Sequence, residues 1–321
     1  MRTYAKLLTA SAAIAMGCYA ILGGVAVHAH GNNYGNHEGQ NSACKETARK
    51  VWISCRTEAQ ADLWLAFAAA SNLPTWQERK EAQGDAREEF DDAIEECREQ
   101  FGARCDLCEK LDESIYDPDV DPENFSDPQE NPYFPLVVGT TYMYEKETDE
   151  GTETVVVEVT DETREILGIE CIVVRDIESL DGEVVEDTRD YFAADNWGNV
   201  WYLGENSTEI EEGLVVSTAG SWIAGEDGAK PGIIMLAMPE VGDTYRQEWF
   251  LGEAEDAAMV LSLDEEVSVP FDDFQDCLQT ADFTPIEPGN LEWKFYALGI
   301  GLVLEMDPES GEALELIDIT N

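Results

Sequence analysis

The stretches "CKETARKVWISC" (Cys44–Cys55) and "CREQFGARCDLC" (Cys97–Cys108) each hold two cysteines eleven residues apart. Eleven residues is close to three turns of an α-helix, so the two members of each pair lie on one helical face. Ala48, Val51, Ala59, Leu63 and Ala66 continue the first stripe, and Ala86, Phe90, Ile94, Phe101 and Leu111 continue the second. Between them "SNLPTW" breaks the pattern at Asn72 and Pro74, and Thr75 with Glu78 forms a capping-box signature for the second helix. Two antiparallel helices pair residues whose numbers have a constant sum. Cys44 with Cys108 and Cys55 with Cys97 share the sum 152, so one register closes both bridges. The midpoint of that sum falls near Trp76, slightly past the breaker, which keeps Cys44 with Cys105 as a competing pairing. Either choice leaves one cysteine of "CDLC" over. That C-x-x-C lies late in a helix among acids, not at a strand-to-helix junction, so its expected role is structural, not redox.

The start of the chain decides whether such bridges persist. Arg2 and Lys6 precede an apolar run from Leu7 to Val27, and "VHA" fits a signal-peptidase site with cleavage near Ala29. A lipobox at Cys18 in "AMGC" and a retained apolar anchor are the two alternatives. Export is the preferred outcome, to a secreted or periplasmic location with cell-surface association included, where disulfides are stable. No later apolar run is long enough to span a membrane, so the mature chain is expected to carry no transmembrane span. Without the leader seven cysteines remain, and Cys171 and Cys277 either pair with each other or stay free.

After Leu111 the composition changes. Residues 114–132 are rich in proline and acids without helical or strand period, as expected of an extended connector. From residue 133 the pattern alternates in short β-type runs such as "TTYMYEKE", "ETVVVEVT", "ECIVVRDI" and "LEWKFYAL", punctuated by "LDGE", "NWGN" and "ESGE" turns. The expected organisation is a signal peptide over 1–29, a flexible tail over 30–42, a helical hairpin over 43–113, the linker over 114–132 and a β domain over 133–321. The fold class is therefore α+β: a disulfide-stapled helical hairpin, then an antiparallel β-meander that closes as a barrel, half-barrel or sandwich.

"GNVWYLGE", "GSWIAGEDGAKPGIIM", "TYRQEW" and "TPIEPGNLEWKFYALGIGLVLEM", opened by "NPYFPLVVGTTYMYE", carry a resemblance. From Asn131 to the end the chain resembles a family of secreted bacterial β-rich proteins with no assigned activity. The closing "YALGIGLVLEM" is similar to the last hairpin of several exported curved-sheet lipoproteins, which implies a ligand-holding half-barrel by analogy of fold alone.

Residue inventory removes several chemistries. The β domain has no histidine, which excludes Ser-His-Asp and Cys-His catalysis and the usual zinc ligand sets there. Its seven scattered cations, among them Lys230, Arg246 and Lys294, are too few for nucleic acid. Carboxylates are abundant enough to make any chosen catalytic pair arbitrary, so no catalytic residue is assigned. A carboxylate-dependent hydrolase or lyase acting on an extracellular polymer is the alternative to a non-enzymatic binding or surface-associated module.

The formal net charge of −50, from 69 acids against 19 bases, has three readings: a generally acidic surface suited to a saline habitat, divalent cations held as partners in oxygen cages, or attraction of a basic partner. The Ca²⁺ candidates are Asp117, Asp119, Asp121, Glu123 and Asp127 in the connector, where alternate acids present oxygens on one side. The connector departs from an EF-hand at Pro122 and Pro128. Asp195 and Asn199 in "DNWGN" form a second, weaker candidate beside a hairpin turn. Copper is a minor expectation at His30, the residue following the cleavage site, with His37 as a further nitrogen. Trp201, Trp222, Trp249 and Trp293 lie in or beside strands and serve either as core or as the wall of a site for a small apolar or glycan ligand.

Overall fold

A computed structural model describes residues 42–111 and 114–321. The expected signal peptide and all of the tail before Ser42, including Cys18, His30 and His37, lie outside the described residues. The helix α1 spans Ala43–Ala70 and α2 spans Trp76–Lys110. Ser42 caps α1 by accepting from the Lys45 amide, and Thr75 and Glu78 form the capping box the sequence predicts for α2. Disulfides join Cys44 to Cys108 and Cys55 to Cys97, so the constant-sum register holds and Cys105 is the free member of "CDLC". Ala48, Ala59 and Ala70 are buried along α1 at the same eleven-residue step as the cysteines. Small side chains there let the helices approach closely enough for both bridges.

The connector is a packed strap. It carries one 3-10 turn over Pro122–Phe125, capped by Asp121, and it is tied down along its length. The Tyr116 hydroxyl donates to the Pro231 carbonyl at 2.8 Å, the Asn196 amide donates to the Asn124 carbonyl at 2.8 Å, and the Asn131 side chain donates to the Gly198 and Leu236 carbonyls. Phe125 packs edge-on against Trp201.

Sixteen strands follow, all paired antiparallel in one sheet. The first five are β1 (Thr141–Thr148), β2 (Gly151–Ile166), β3 (Ile169–Leu180), β4 (Glu183–Ala194) and β5 (Val200–Asn206). Short strands come next: β6 (Glu209–Glu211), β7 (Leu214–Ser217), β8 (Trp222–Ile223), β9 (Lys230–Met235), β10 (Thr244–Arg246) and β11 (Glu248–Trp249). The last five are β12 (Ala257–Ser268), β13 (Asp273–Phe283), β14 (Leu291–Ala297), β15 (Gly301–Met306) and β16 (Ala313–Thr320). Consecutive strands are mostly neighbours, as a meander requires, and β16 returns to pair with β1 from Thr141↔Thr320 onward.

The path ends at β10 on one side and β11 on the other, and only Gln247 separates these two in sequence. The chain thus steps from one end of the sheet to the other through a single residue, which nearly closes a barrel. Backbones come close at this seam: a Cβ on Gly232 would stand 2.1 Å from the Gln247 carbonyl oxygen, so only glycine fits. Of the closures open to the sequence, the one adopted is a nearly closed barrel.

Alternation sorts the strands' side chains into an outer and an inner set. Tyr142 and Tyr144, Val157 and Val159, Val174 and Asp176, Asp190 and Phe192, Lys294 and Tyr296 are successive inward positions around one interior cavity. Cys171 on β3 and Cys277 on β13 are buried free thiols six strands apart in the hydrogen-bonding order, so they do not form the disulfide offered as one of their two options. Burial pushes the Cys171 thiol up to about 12, which keeps it protonated and unreactive. Among the described residues no helix is long and apolar enough to cross a membrane.

Candidate functional site

Two concave regions stand out, one between the hairpin and the barrel and one inside the barrel. The first is a cleft of about 540 Å³ where the open end of the hairpin meets the seam. Its floor is a buried charge cluster. Arg104, on the last turns of α2, grips Glu255 with three hydrogen bonds, Nε to Oε2 at 2.9 Å and to Oε1 at 3.2 Å, and Nη2 to Oε1 at 2.7 Å. The two side chains are 6% and 2% exposed. Glu255 Oε1 also accepts from the Gly252 amide at 2.8 Å, which fixes the carboxylate from the loop side.

Arg246, at the end of β10, completes the cluster. Its Nη2 reaches only the Cys44 sulfur, at 3.8 Å, and its Nη1 is buried with no hydrogen-bond partner. Burial pulls its pKa below the ordinary guanidinium value, with Glu255 acting against that and Arg104 adding to it. Among the described residues of this cluster, two guanidiniums thus share one carboxylate. The walls are aromatic. The Tyr116 ring lies 6.1 Å from that of Trp249 and beneath the Arg246 guanidinium at 5.6 Å. Lys230 stands over Trp249 at 5.3 Å and donates to the Tyr116 carbonyl and, at 3.0 Å, to Asp117.

The second region is the barrel interior, of about 280 Å³. It is unusually acidic for a core. Tyr202 Oη lies 2.6 Å from Asp190 Oδ1 and 3.0 Å from Glu205 Oε2. One phenolic hydrogen cannot serve both carboxylates, so one of them carries its own proton. Burial, reinforced by neighbouring carboxylates, pushes Asp190 up to about 7, Glu178 up to about 7 and Glu205 up to about 8. Asp176 is raised well above the carboxylate range for the same reason, and its Oδ1 is buried without a partner. The cation here is Lys294, whose ammonium lies 3.2 Å from Glu305 and 3.5 Å from Glu292.

These raised values predict a pH dependence. A carboxyl whose folded pKa exceeds its unfolded value of about 4 binds more protons in the native state, so it stabilises the fold at low pH. That contribution fades as pH rises through about 7 to 8, where Glu178, Asp190 and Glu205 titrate. The melting midpoint is expected to fall by at least about 4 °C between pH 5.5 and 8.5. Asp190→Asn with Glu205→Gln should flatten that slope, whereas 0.5 M NaCl, which screens the surface far more than the interior, should leave most of it. A slope abolished by salt and untouched by the double substitution would place its origin on the surface instead.

The residues that the sequence nominated for metals are dispersed in use. Asp117 pairs with Lys230, and Asp121 accepts from the Glu123 amide as a turn cap. The Asp127 amide is held by the Asn196 side chain. Asp195, 2% exposed, accepts from the Trp197 and Asn199 amides, the Asn199 side chain and Trp201 Nε1, which matches a hairpin-turn role. Asp119 is exposed, and the Glu123 carbonyl accepts from the Asn196 side chain. Among the described residues, no three His, Cys, Asp or Glu side chains come together as a set that would hold a metal ion. Of the four tryptophans singled out by sequence, Trp201 and Trp249 line the cleft, Trp222 is core, and Trp293 is half-buried in β14. Sequence reasoning missed Arg104, Tyr116, Arg246 and Glu255. A faint signal was present, in that arginine is scarce enough here for a strand-borne Arg beside "QEW" to stand out.

No family model matches this chain, and no curated protein matches it. A solved structure described as a "putative lipoprotein" from Parabacteroides distasonis aligns with 60% of this chain and 100% of its own length, at 11% identity and a TM-score of 0.33.

Proposed function

We propose that the protein is an extracytoplasmic, non-enzymatic binding module, and that the cleft between hairpin and barrel holds a small ligand with an apolar or aromatic body. The observation that carries this is the cleft itself. Its volume lies in the range of ligand sites, its walls are Tyr116, Trp201 and Trp249, and its floor holds a fixed charge cluster. Two disulfides in the hairpin support a location outside the cytosol. Asp176, Asp190, Glu248 and Asp256, whose pKa values are raised by burial, line the barrel interior, which favours binding over hydrolysis of a polymer.

Tryptophan emission provides the test. Small aromatic acids and alcohols, and separately oligosaccharides, are titrated into the protein and into Trp249→Phe. Saturable quenching by an aromatic probe, weakened at least about 3-fold in Trp249→Phe, is the expected result. Saturation by oligosaccharides alone would move the reading to glycan stacking, and no saturable response to any probe would remove it.

A further inference from the structure

The fixed charge in the cleft narrows the ligand class. We propose that the cleft selects a monoanionic carboxylate carried on an apolar or aromatic body, with the carboxylate on the Arg246 guanidinium and the body against Tyr116 and Trp249. This rests on the binding role proposed above and adds the sign, number and shape of the ligand's charge.

Arg246 Nη1 is a charged donor that is buried and has no acceptor, an arrangement native proteins rarely leave unresolved. Glu255 is the nearby anion, and its oxygens are already committed to Arg104 and to the Gly252 amide. Asp117, also on the cleft wall, is paired with Lys230. Among the described residues that line the cleft, Arg246 therefore offers a positively charged donor with no carboxylate bonded to it, in a chain of net charge −50. A ligand acceptor at Arg246 would satisfy the donor and restore neutrality in a partly desolvated place, where charge-assisted bonds are strong.

The same numbers exclude heavier anions. A phosphate monoester brings close to two negative charges at neutral pH, and the acidic surface repels polyanions before they arrive. A carboxylate carries one charge and matches the planar guanidinium fork. Beyond that fork the cleft is apolar, with Leu111, Ile115, Ile233 and Leu251 beside the aromatic rings, so the carboxylate must come attached to a hydrophobic body.

Isothermal titration of the full protein with 4-phenylbutyrate and with 4-phenyl-1-butanol, which differ in charge at nearly constant shape, tests this directly. The acid is expected to bind at least about 10-fold more tightly than the alcohol at pH 7 and low salt. Arg246→Gln is expected to bring the two within about 2-fold of each other. Equal or tighter binding of the alcohol by the native protein overturns the charge selection but leaves the binding role standing. Failure of both compounds to bind overturns the two together. A preference for the acid that survives Arg246→Gln in a folded variant overturns the assignment to Arg246. The comparison on native protein decides the sign of the ligand without any variant, so an unfolded Arg246→Gln does not protect the proposal.

Discussion

Replacing Glu255 by alanine is expected to cost about 3–5 kcal/mol of stability, the range for breaking a buried ion pair by removing one partner. The reason is local. Glu255 is 2% exposed, and it is the carboxylate between two guanidiniums that the fold has taken out of water. Without it Arg104 and Arg246 face each other with no counter-charge, and the hairpin loses its main polar tie to the barrel. Arg104→Ala should cost less, because Glu255 keeps Arg246 as a neighbouring cation. The discriminating variant is Arg104→Met with Glu255→Leu and Arg246→Met, which removes all three charges of the cluster and keeps the volume. It is expected to lie within about 1–2 kcal/mol of the native protein or above it, since buried pairs return little net energy once desolvation is counted. Urea unfolding measures all three. Equal losses for Glu255→Ala and Arg104→Ala would show that packing, not the orphaned charge, sets the cost.

This cluster also shows where sequence reasoning stops. The hairpin was legible because its information is local: an eleven-residue step, a breaker at Pro74 and a cap at Thr75 all act within a few turns. Strand existence was legible for the same reason, since alternation in "ETVVVEVT" or "ECIVVRDI" assigns faces without knowing the partner. Curvature was not. A period of two says which side chains share a face, and it says nothing of whether β16 returns to β1 or whether Gln247 joins the two ends of the sheet.

The site depended on those long-range events. Arg104 and Glu255 are 151 residues apart, and Lys230 and Asp117 are 113 apart. The connector acids show the same limit from the other side. Their proximity in sequence suggested shared work, yet Asp117 reaches to β9 and Asp121 caps its own turn. In so acidic a chain, dense carboxylates carry little positional information. The rare arginines carry more, because each one that is buried must be compensated or used.

Serine in place of all four bridged cysteines is expected to have the larger effect on architecture, with loss of several kcal/mol and release of α1 from the molecule. The bridges enclose 64 and 42 residues of sequence separation, and loops of that length correspond to roughly 4 kcal/mol each in the chain-entropy estimate. Because the shorter loop is nested in the longer, the two contributions overlap, so their joint removal should cost less than twice that figure. What remains to hold α1 is thin: its buried residues are Ala48, Ala59 and Ala70, each with little apolar surface to contribute. The pairs should also differ in kind. Cys55→Ser with Cys97→Ser loosens the middle of the hairpin and is expected to lower the melting midpoint while leaving the cleft in place. Cys44→Ser with Cys108→Ser frees the start of α1 at the cleft wall, where Cys44 lies beside Arg246, so ligand affinity should fall as well as stability. Paired measurements of urea unfolding and probe binding on the two double variants separate these roles. Equal loss of binding in both would mean that the hairpin as a whole, not the outer bridge, shapes the cleft.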